Sequence, residues 1–136
     1  DYDPSIPEIY GDENLFVQAI LNIVKNGQQA IENIKDPAIV IKSRIKYGEP
    51  INGVVQQTVC SIDICDNGKG IPDELHDQLF FPMVSMKESG SGLGLTIAQD
   101  IIRVHGGNIT FKSKPGSTIF SINVPLGDEK REAKIA

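Results

Sequence analysis

Apolar and polar positions change rhythm along this chain, and the changes mark out its elements. From Asp12 to about Ile34, the residues Leu15, Ala19, Ile20, Ile23, Ala30, Ile31 and Ile34 recur with the period of an amphipathic helix. Asp12 is a competent N-cap, and Asp36-Pro37 closes the segment because the residue before a proline disfavours helical backbone. Two alternating segments follow, Ala38–Tyr47 and Val54–Cys65, joined by Gly48-Glu49-Pro50-Ile51-Asn52-Gly53. This pattern predicts a β-hairpin. Pro72–Leu79 fits a short helix, while Phe80–Ser91 has no clean period and carries Pro, Ser and Gly, which predicts a mobile loop. Helical spacing returns and runs to about His105, with Gly106-Gly107 as C-cap. Asn108–Ser113 and Ser117–Val124 form a second hairpin around Lys114-Pro115-Gly116. Residues 1–10 read as extended and the polar stretch 127–136 as a frayed tail.

Strands that arrive in pairs between helices predict an α+β fold, a two-layer sandwich whose mixed sheet is covered by helices on one face. At 136 residues the chain is long enough for one domain with a proper core, expected over residues 1–126. A net charge of −5 argues against broad binding to nucleic acid or to an anionic membrane. No apolar run approaches the ~20 residues of a membrane span. The first residue is Asp1, not Met, which is read as a fragment of a longer protein. Cys60 and Cys65 lie at odd spacing in one predicted strand, so they point to opposite faces and cannot pair. They read as small buried apolar residues in a reducing cytoplasm.

Three features carry chemistry. Asp66-Asn67-Gly68-Lys69-Gly70 follows a strand, where glycine lets the backbone turn and approach a ligand closely. Gly90-Ser91-Gly92-Leu93-Gly94 opens a helix, whose unpaired N–H groups attract phosphate. The cluster is neither a Walker loop, which needs Lys and Ser/Thr after its last glycine, nor a dinucleotide fingerprint. The third feature is a stripe of amides, Gln18, Asn22, Asn26, Gln29 and Asn33, along one face of the first helix. Amides offer a donor and an acceptor without charge, so they suit a face closed over a polar ligand. A carboxylate at one end of a loop and a phosphate cradle at the other predict a nucleotide site.

In order, Asn22-x-x-x-Asn26, Asp66-x-Gly68-x-Gly70, Phe80-Phe81-Pro82, Gly90-x-Gly92-x-Gly94-Leu95 and Gly116-Ser117-Thr118 resemble the N, G1, F, G2 and G3 boxes of sensor histidine kinases. These boxes mark the catalytic ATP-binding domain of the superfamily shared with gyrase, a heat-shock chaperone and MutL, an α/β sandwich. The resemblance spans essentially residues 5–126. Asp1-Tyr2-Asp3-Pro4-Ser5-Ile6-Pro7, Leu21-Asn22-Ile23-Val24-Lys25-Asn26 and Leu79-Phe80-Phe81-Pro82-Met83-Val84-Ser85 look most like the nitrogen-regulation branch of that family.

The resemblance implies a role for each position. Asn26 would ligate Mg²⁺ through its amide oxygen, and Asp66 would accept a hydrogen bond from the adenine amino group of ATP. Gly68, Gly70, Ile71, Phe80 and Thr118 would surround the base. Gly90, Ser91, Gly92, Leu93, Gly94 and Leu95 would form the hinge and phosphate cradle of an ATP lid, in which Lys87 would meet a phosphate. Gln29 stands where many histidine kinases have Lys, which shifts phosphate contact toward Lys87 or Lys25. Gly27 replaces a commoner Ala. Asn22 stands where the superfamily's ATPases carry a water-activating Glu, and an amide cannot act as general base. That favours transfer of the γ-phosphate to a histidine over hydrolysis. Neither His76 nor His105 lies in a phosphoacceptor motif, so the acceptor is expected on a dimerisation domain outside this sequence. The nitrogen-regulation likeness further implies an NtrC-type response regulator and a PII signalling protein as partners. The competing expectation is an ATPase or nucleotide-gated interaction module of the same superfamily.

Overall fold

The first helix begins where the apolar stripe begins. In the computed structural model, which describes residues 13–80 and 94–126, α1 spans Glu13–Ala30 and buries Ala19, Ile23 and Gly27 along one side. The predicted continuation to Ile34 does not form. Ile31 N–H still reaches the Gly27 carbonyl (3.1 Å), but Glu32 bonds back to Gln29 and Ile34 to Ile31, the tighter spacing of a fraying end. Asn33 then turns left-handed at φ 65°, a conformation Asn tolerates better than most residues. The cause is a distant contact: the Ala30 carbonyl accepts the N–H of Lys69 (3.4 Å), so the loop after the first hairpin captures the helix end. Asn33 is thereby removed from the amide stripe.

Strands β1 (Ile39–Ile51) and β2 (Val54–Asp66) pair antiparallel with Ile51 opposite Val54. Most of the expected link at 48–53 is therefore strand. Asn52 and Gly53 alone make the turn, with φ of 51° and 83°, the two left-handed residues a type I′ turn requires. Pro50 is tolerated because β1 has β2 as its partner and lies at an edge of the described sheet. A 3₁₀ turn at Asp73–Gln78 follows, close to the predicted short helix.

Helix α2 covers Gly94–Val104. It ends as its Gly-Gly predicts: Gly107 N–H bonds the Ile102 carbonyl and Gly106 N–H the Arg103 carbonyl, both at 2.9 Å, with Gly106 at φ 82°. Strands β3 (Asn108–Lys114) and β4 (Ser117–Pro125) complete the sheet, whose order is β1-β2-β4-β3. The two-layer α+β architecture is as predicted. Among the described residues, however, every neighbouring pair of strands is antiparallel, where a mixed sheet was expected. The crossover through α2 returns the chain two strand positions away from β2, and β4 fills the gap between parallel-running β2 and β3.

One face of the sheet carries the core. Ile64, Ile109, Phe120, Ile122 and Val124 pack with Ala19, Ile23, Ala98, Ile101 and Ile102 of the two helices. Each large side chain so buried contributes about 1.5–3 kcal/mol. The helices run antiparallel: the Phe16 ring lies 4.3 Å from His105 at one end, and Gly94 abuts Asn22 at the other. Both histidines serve the scaffold, His105 Nδ1–H donating to the Ile101 carbonyl (2.7 Å) and His76 Nε2–H to that of Ile71 (2.9 Å). The other sheet face carries a polar network. Asp63 accepts from Arg44 (3.1 Å) and from Ser121 (2.7 Å), and fully buried Ser61 donates to Asn123 (2.8 Å), which donates to Asn108 (2.9 Å). Cys60 is buried and Cys65 half-buried, neither joined in a disulfide, and burial raises the Cys65 pKa. No helix among the described residues is long and apolar enough to cross a membrane.

Candidate functional site

The end of β2 delivers Asp66 to the helix-facing side of the sheet, in register with Thr118 of β4. Both side chains are almost fully buried, at 6% and 2% exposure. Thr118 shares a hydrogen bond with Ser113 (2.8 Å), and the same Ser113 oxygen accepts the N–H of Ile71 (2.8 Å). Three strands' ends and the following loop are thus stitched together beside Asp66.

The loop after Asp66 is held on three sides. Asn67 fastens it to the turn before β1, donating to the Asp36 carbonyl (2.9 Å) and accepting from Ala38 N–H (2.8 Å). Gly68 N–H donates to Asp66 Oδ1 (2.9 Å), while the Gly68 carbonyl accepts the N–H of Gly116 from the β3–β4 turn (2.9 Å). The glycines answer to this crowding. A Cβ on Gly68 would stand 2.6 Å from the Ala30 carbonyl oxygen. On Gly70, which is left-handed at φ 85°, it would stand 2.8 Å from that of Lys114. The protein's own backbone, before any ligand, requires glycine at both positions.

A pocket opens over this floor, lined by Asn26, Gln29, Ala30, Asp66, Lys69, Gly70, Ile71 and Thr118. Of the residues singled out from the sequence, it brings together Asn26, Gln29, Asp66, Gly70, Ile71 and Thr118. Ala30 and Lys69 were missed. Ala30 sits one turn after Asn26, so helical spacing alone could have found it. Lys69 lies inside the first glycine cluster, where the glycines drew attention from it. Asn22 lies off the pocket wall, one turn from Asn26, against Gly94 at the start of α2. Phe80 and Leu95 do not line the pocket; both pack on the hydrophobic core. Phe80 sits edge-on to Phe111, and its carbonyl accepts the Thr96 hydroxyl (2.8 Å), tying residue 80 to α2. Lys25 is exposed. Lys87, Gly90, Ser91, Gly92 and Leu93 lie outside the described residues, as do the body of the expected lid and the tail.

The pocket's buried charge is that of Asp66, while Lys69 is exposed. Burial pushes its carboxyl above the ordinary aspartate range, and the bond from Gly68 N–H pulls it back. Among the described residues no cluster of three His, Cys, Asp or Glu could hold a metal by itself. An amide oxygen such as that of Asn26 could hold only an ion whose remaining ligands come from a bound molecule or water. A buried acceptor at the floor with amides on one wall offers hydrogen bonds to a polar, hydrogen-donating group.

Comparison with known proteins places the chain in a class. Residues 11–128 match the family of histidine kinase-, DNA gyrase B- and HSP90-like ATPases, and the chain belongs to that family; it is an ATP-binding domain. Within it, this is a catalytic domain of the sensor histidine kinase type, similar to NtrB. It is 45% identical over 126 residues to the sensory histidine kinase/phosphatase NtrB of Vibrio alginolyticus, an alignment covering 93% of this chain and 36% of that protein. The NtrB of Escherichia coli O157:H7 is 44% identical over the same extent. The chain spans about a third of the length of these relatives. Among solved structures, the catalytic domain of histidine kinase ThkA superposes with a TM-score of 0.72 at 28% identity, covering 91% of this chain and 74% of that one.

Proposed function

We propose that this domain presents ATP to a separate dimerisation domain and transfers its γ-phosphate to a histidine there. Asp66 carries the reading: a buried carboxylate whose single protein donor is Gly68 N–H among the described residues, set at the floor of a slot. Its remaining acceptor capacity suits the adenine amino group, which guanine lacks at that position. Ile71, Gly70 and Thr118 would flank the base, with Ala30 and Lys69 at the rim. Asn26 and Gln29 would face the ribose and phosphates, and Lys87 with Gly90–Gly94 would take the phosphate end.

Mg²⁺ fits this arrangement, because it favours one or two protein oxygens plus phosphates and water over an all-protein cage. Asn26 would hold it, and the ion would supply charge neutralisation across the phosphates. In the transfer, an imidazole nitrogen of the acceptor forms a bond to the γ-phosphorus as the bond to the bridging oxygen breaks. ADP leaves with that electron pair, and the imidazole proton passes to a base outside this chain. Asn22 supports transfer over hydrolysis, since it cannot activate water. Residues 1–126 would form the catalytic unit and 127–136 an appended tail, working in the cytoplasm. The NtrB likeness supports a role in nitrogen regulation, with an NtrC-type response regulator and a PII protein as partners.

The deciding experiment combines the domain, the parent's dimerisation domain and ATP labelled in the γ-phosphate. Label on a histidine of the partner is the expected result. Free phosphate without labelled protein would instead mark an ATPase.

A further inference from the structure

Gln18 lies one turn before Asn22 on α1, and its Nε2 donates to Asn22 Oδ1 at 2.9 Å. That bond decides which end of the Asn22 carboxamide is engaged by protein. The oxygen is taken, so the group offers its surroundings the nitrogen, a donor of two protons. Asn22 stands beside Gly94, the first residue of α2: its Cβ and carbonyl oxygen would each lie 4.0 Å from a Cβ placed on that glycine, and helix N–H groups at such an end favour anions. Beside a helix start, an amide whose free end is its oxygen would oppose a phosphate, whereas one whose free end is its nitrogen assists it.

We propose that Gln18 is a positioning residue, which holds Asn22 as a hydrogen-bond donor toward the terminal phosphoryl group of ATP. The inference rests on the nucleotide reading above and divides the labour of its two asparagines. Asn22 donates to the transferring phosphoryl oxygens, and Asn26 offers oxygen to the metal. Gln18 touches neither, and its effect passes through Asn22.

The test uses the full 136-residue chain. Calorimetry with Mg²⁺ compares ADP with a non-hydrolysable ATP analogue for wild type, Gln18→Leu and Gln18→Lys, each also in an Asn22→Ala background. Gln18 is exposed, so melting temperatures should hold. Gln18→Leu should weaken the ATP analogue about tenfold, the low end for one lost hydrogen bond to a charged group, and leave ADP unchanged. Gln18→Lys keeps a donor to Asn22 Oδ1 and should restore the analogue's affinity. In the Asn22→Ala background neither substitution should matter. Equal weakening of ADP and analogue, no weakening, or the same effect without the Asn22 amide would each overturn the inference while leaving the nucleotide reading intact. A wild-type chain that binds neither nucleotide would overturn both.

Discussion

Two aspartates three residues apart on β2 are both buried, and they end up in opposite situations. Asp63 points to the outer face of the sheet, where Arg44 and Ser121 occupy its two oxygens at 3.1 and 2.7 Å. Asp66 points toward the helices, where Gly68 N–H meets one oxygen and the residue lines the pocket. The odd spacing that separates them by face also separates their chemistry. A carboxylate whose partners are built in is part of the scaffold. One left with capacity to spare, and held above its ordinary pKa by burial, is set up to receive something.

The contrast can be broken most decisively at Asp66. Asp66→Asn should keep the Gly68 bond but place a donor where the adenine amino group donates, costing on the order of 100-fold or more in ATP affinity. Calorimetry with ATP and ADP measures this, and unchanged affinity would end the adenine assignment. The same change should not destabilise the fold. Because the native pKa of Asp66 is raised, its contribution to stability is present at pH below the ordinary aspartate value and is lost as pH climbs through the raised one. Neutral Asn escapes that loss, so denaturant melts near neutral pH should show Asp66→Asn as stable as wild type or more so. By the same logic, wild-type ATP affinity should fall on acidification as Asp66 takes up a proton and ceases to be a full acceptor.

Gly68→Ala comes next. A methyl 2.6 Å from the Ala30 carbonyl has no soft neighbour to displace, so the loop must move, at about 1–3 kcal/mol. It should take the Asp66 donor with it and weaken ATP as well. Full ATP affinity in this variant would show that the loop does not align the carboxylate. Asp63→Asn is the mirror control. It should cost about 1 kcal/mol of folding stability, since the Arg44 side chain is 59% exposed and water screens its pairing, and leave ATP affinity untouched. An ATP defect there would erase the distinction between the two aspartates.

The smallest expected effect sharpens the picture from the helix side. A Cβ on Gly27 would lie 3.5 Å from Asp66 Oδ2, an ordinary contact. Gly27→Ala should therefore gain up to ~1 kcal/mol from helix propensity and keep nucleotide binding. A loss of affinity would mean that the glycine keeps space open beside Asp66 for the ligand.

Much of this was readable in the chain because it is written locally. Helical period, alternation and the Gly106-Gly107 stop each depend on neighbours in sequence, and so does the order of the site's glycines and amides. What escaped depends on contacts between distant segments. The helix ends at Ala30 because Lys69 captures a carbonyl there. Phe80 joins Phe111 across the fold, a contact its local sequence does not announce. The turn at Asn52-Gly53 was obscured by Gly48 and Pro50, which read as punctuation but lie within a strand. Strand direction was lost because pairing order follows from the α2 crossover, which no local pattern records.

The hydrogen bond from Gly116 to Gly68 joins residues 48 positions apart, and Gly70 is fitted against the carbonyl of Lys114. The pocket is therefore closed by the last hairpin of the sheet, long after Asp66 has left the ribosome. Contacts of such high sequence separation form late, because loop closure must precede their reward. A nascent chain that stops short of β4 holds the carboxylate without Thr118 or the turn that braces the loop. On the proposed reading of the pocket, nucleotide binding is a property of the finished domain alone, and ATP would shift the folding equilibrium toward that state by mass action. An unfinished or unravelled copy would lack the pocket altogether.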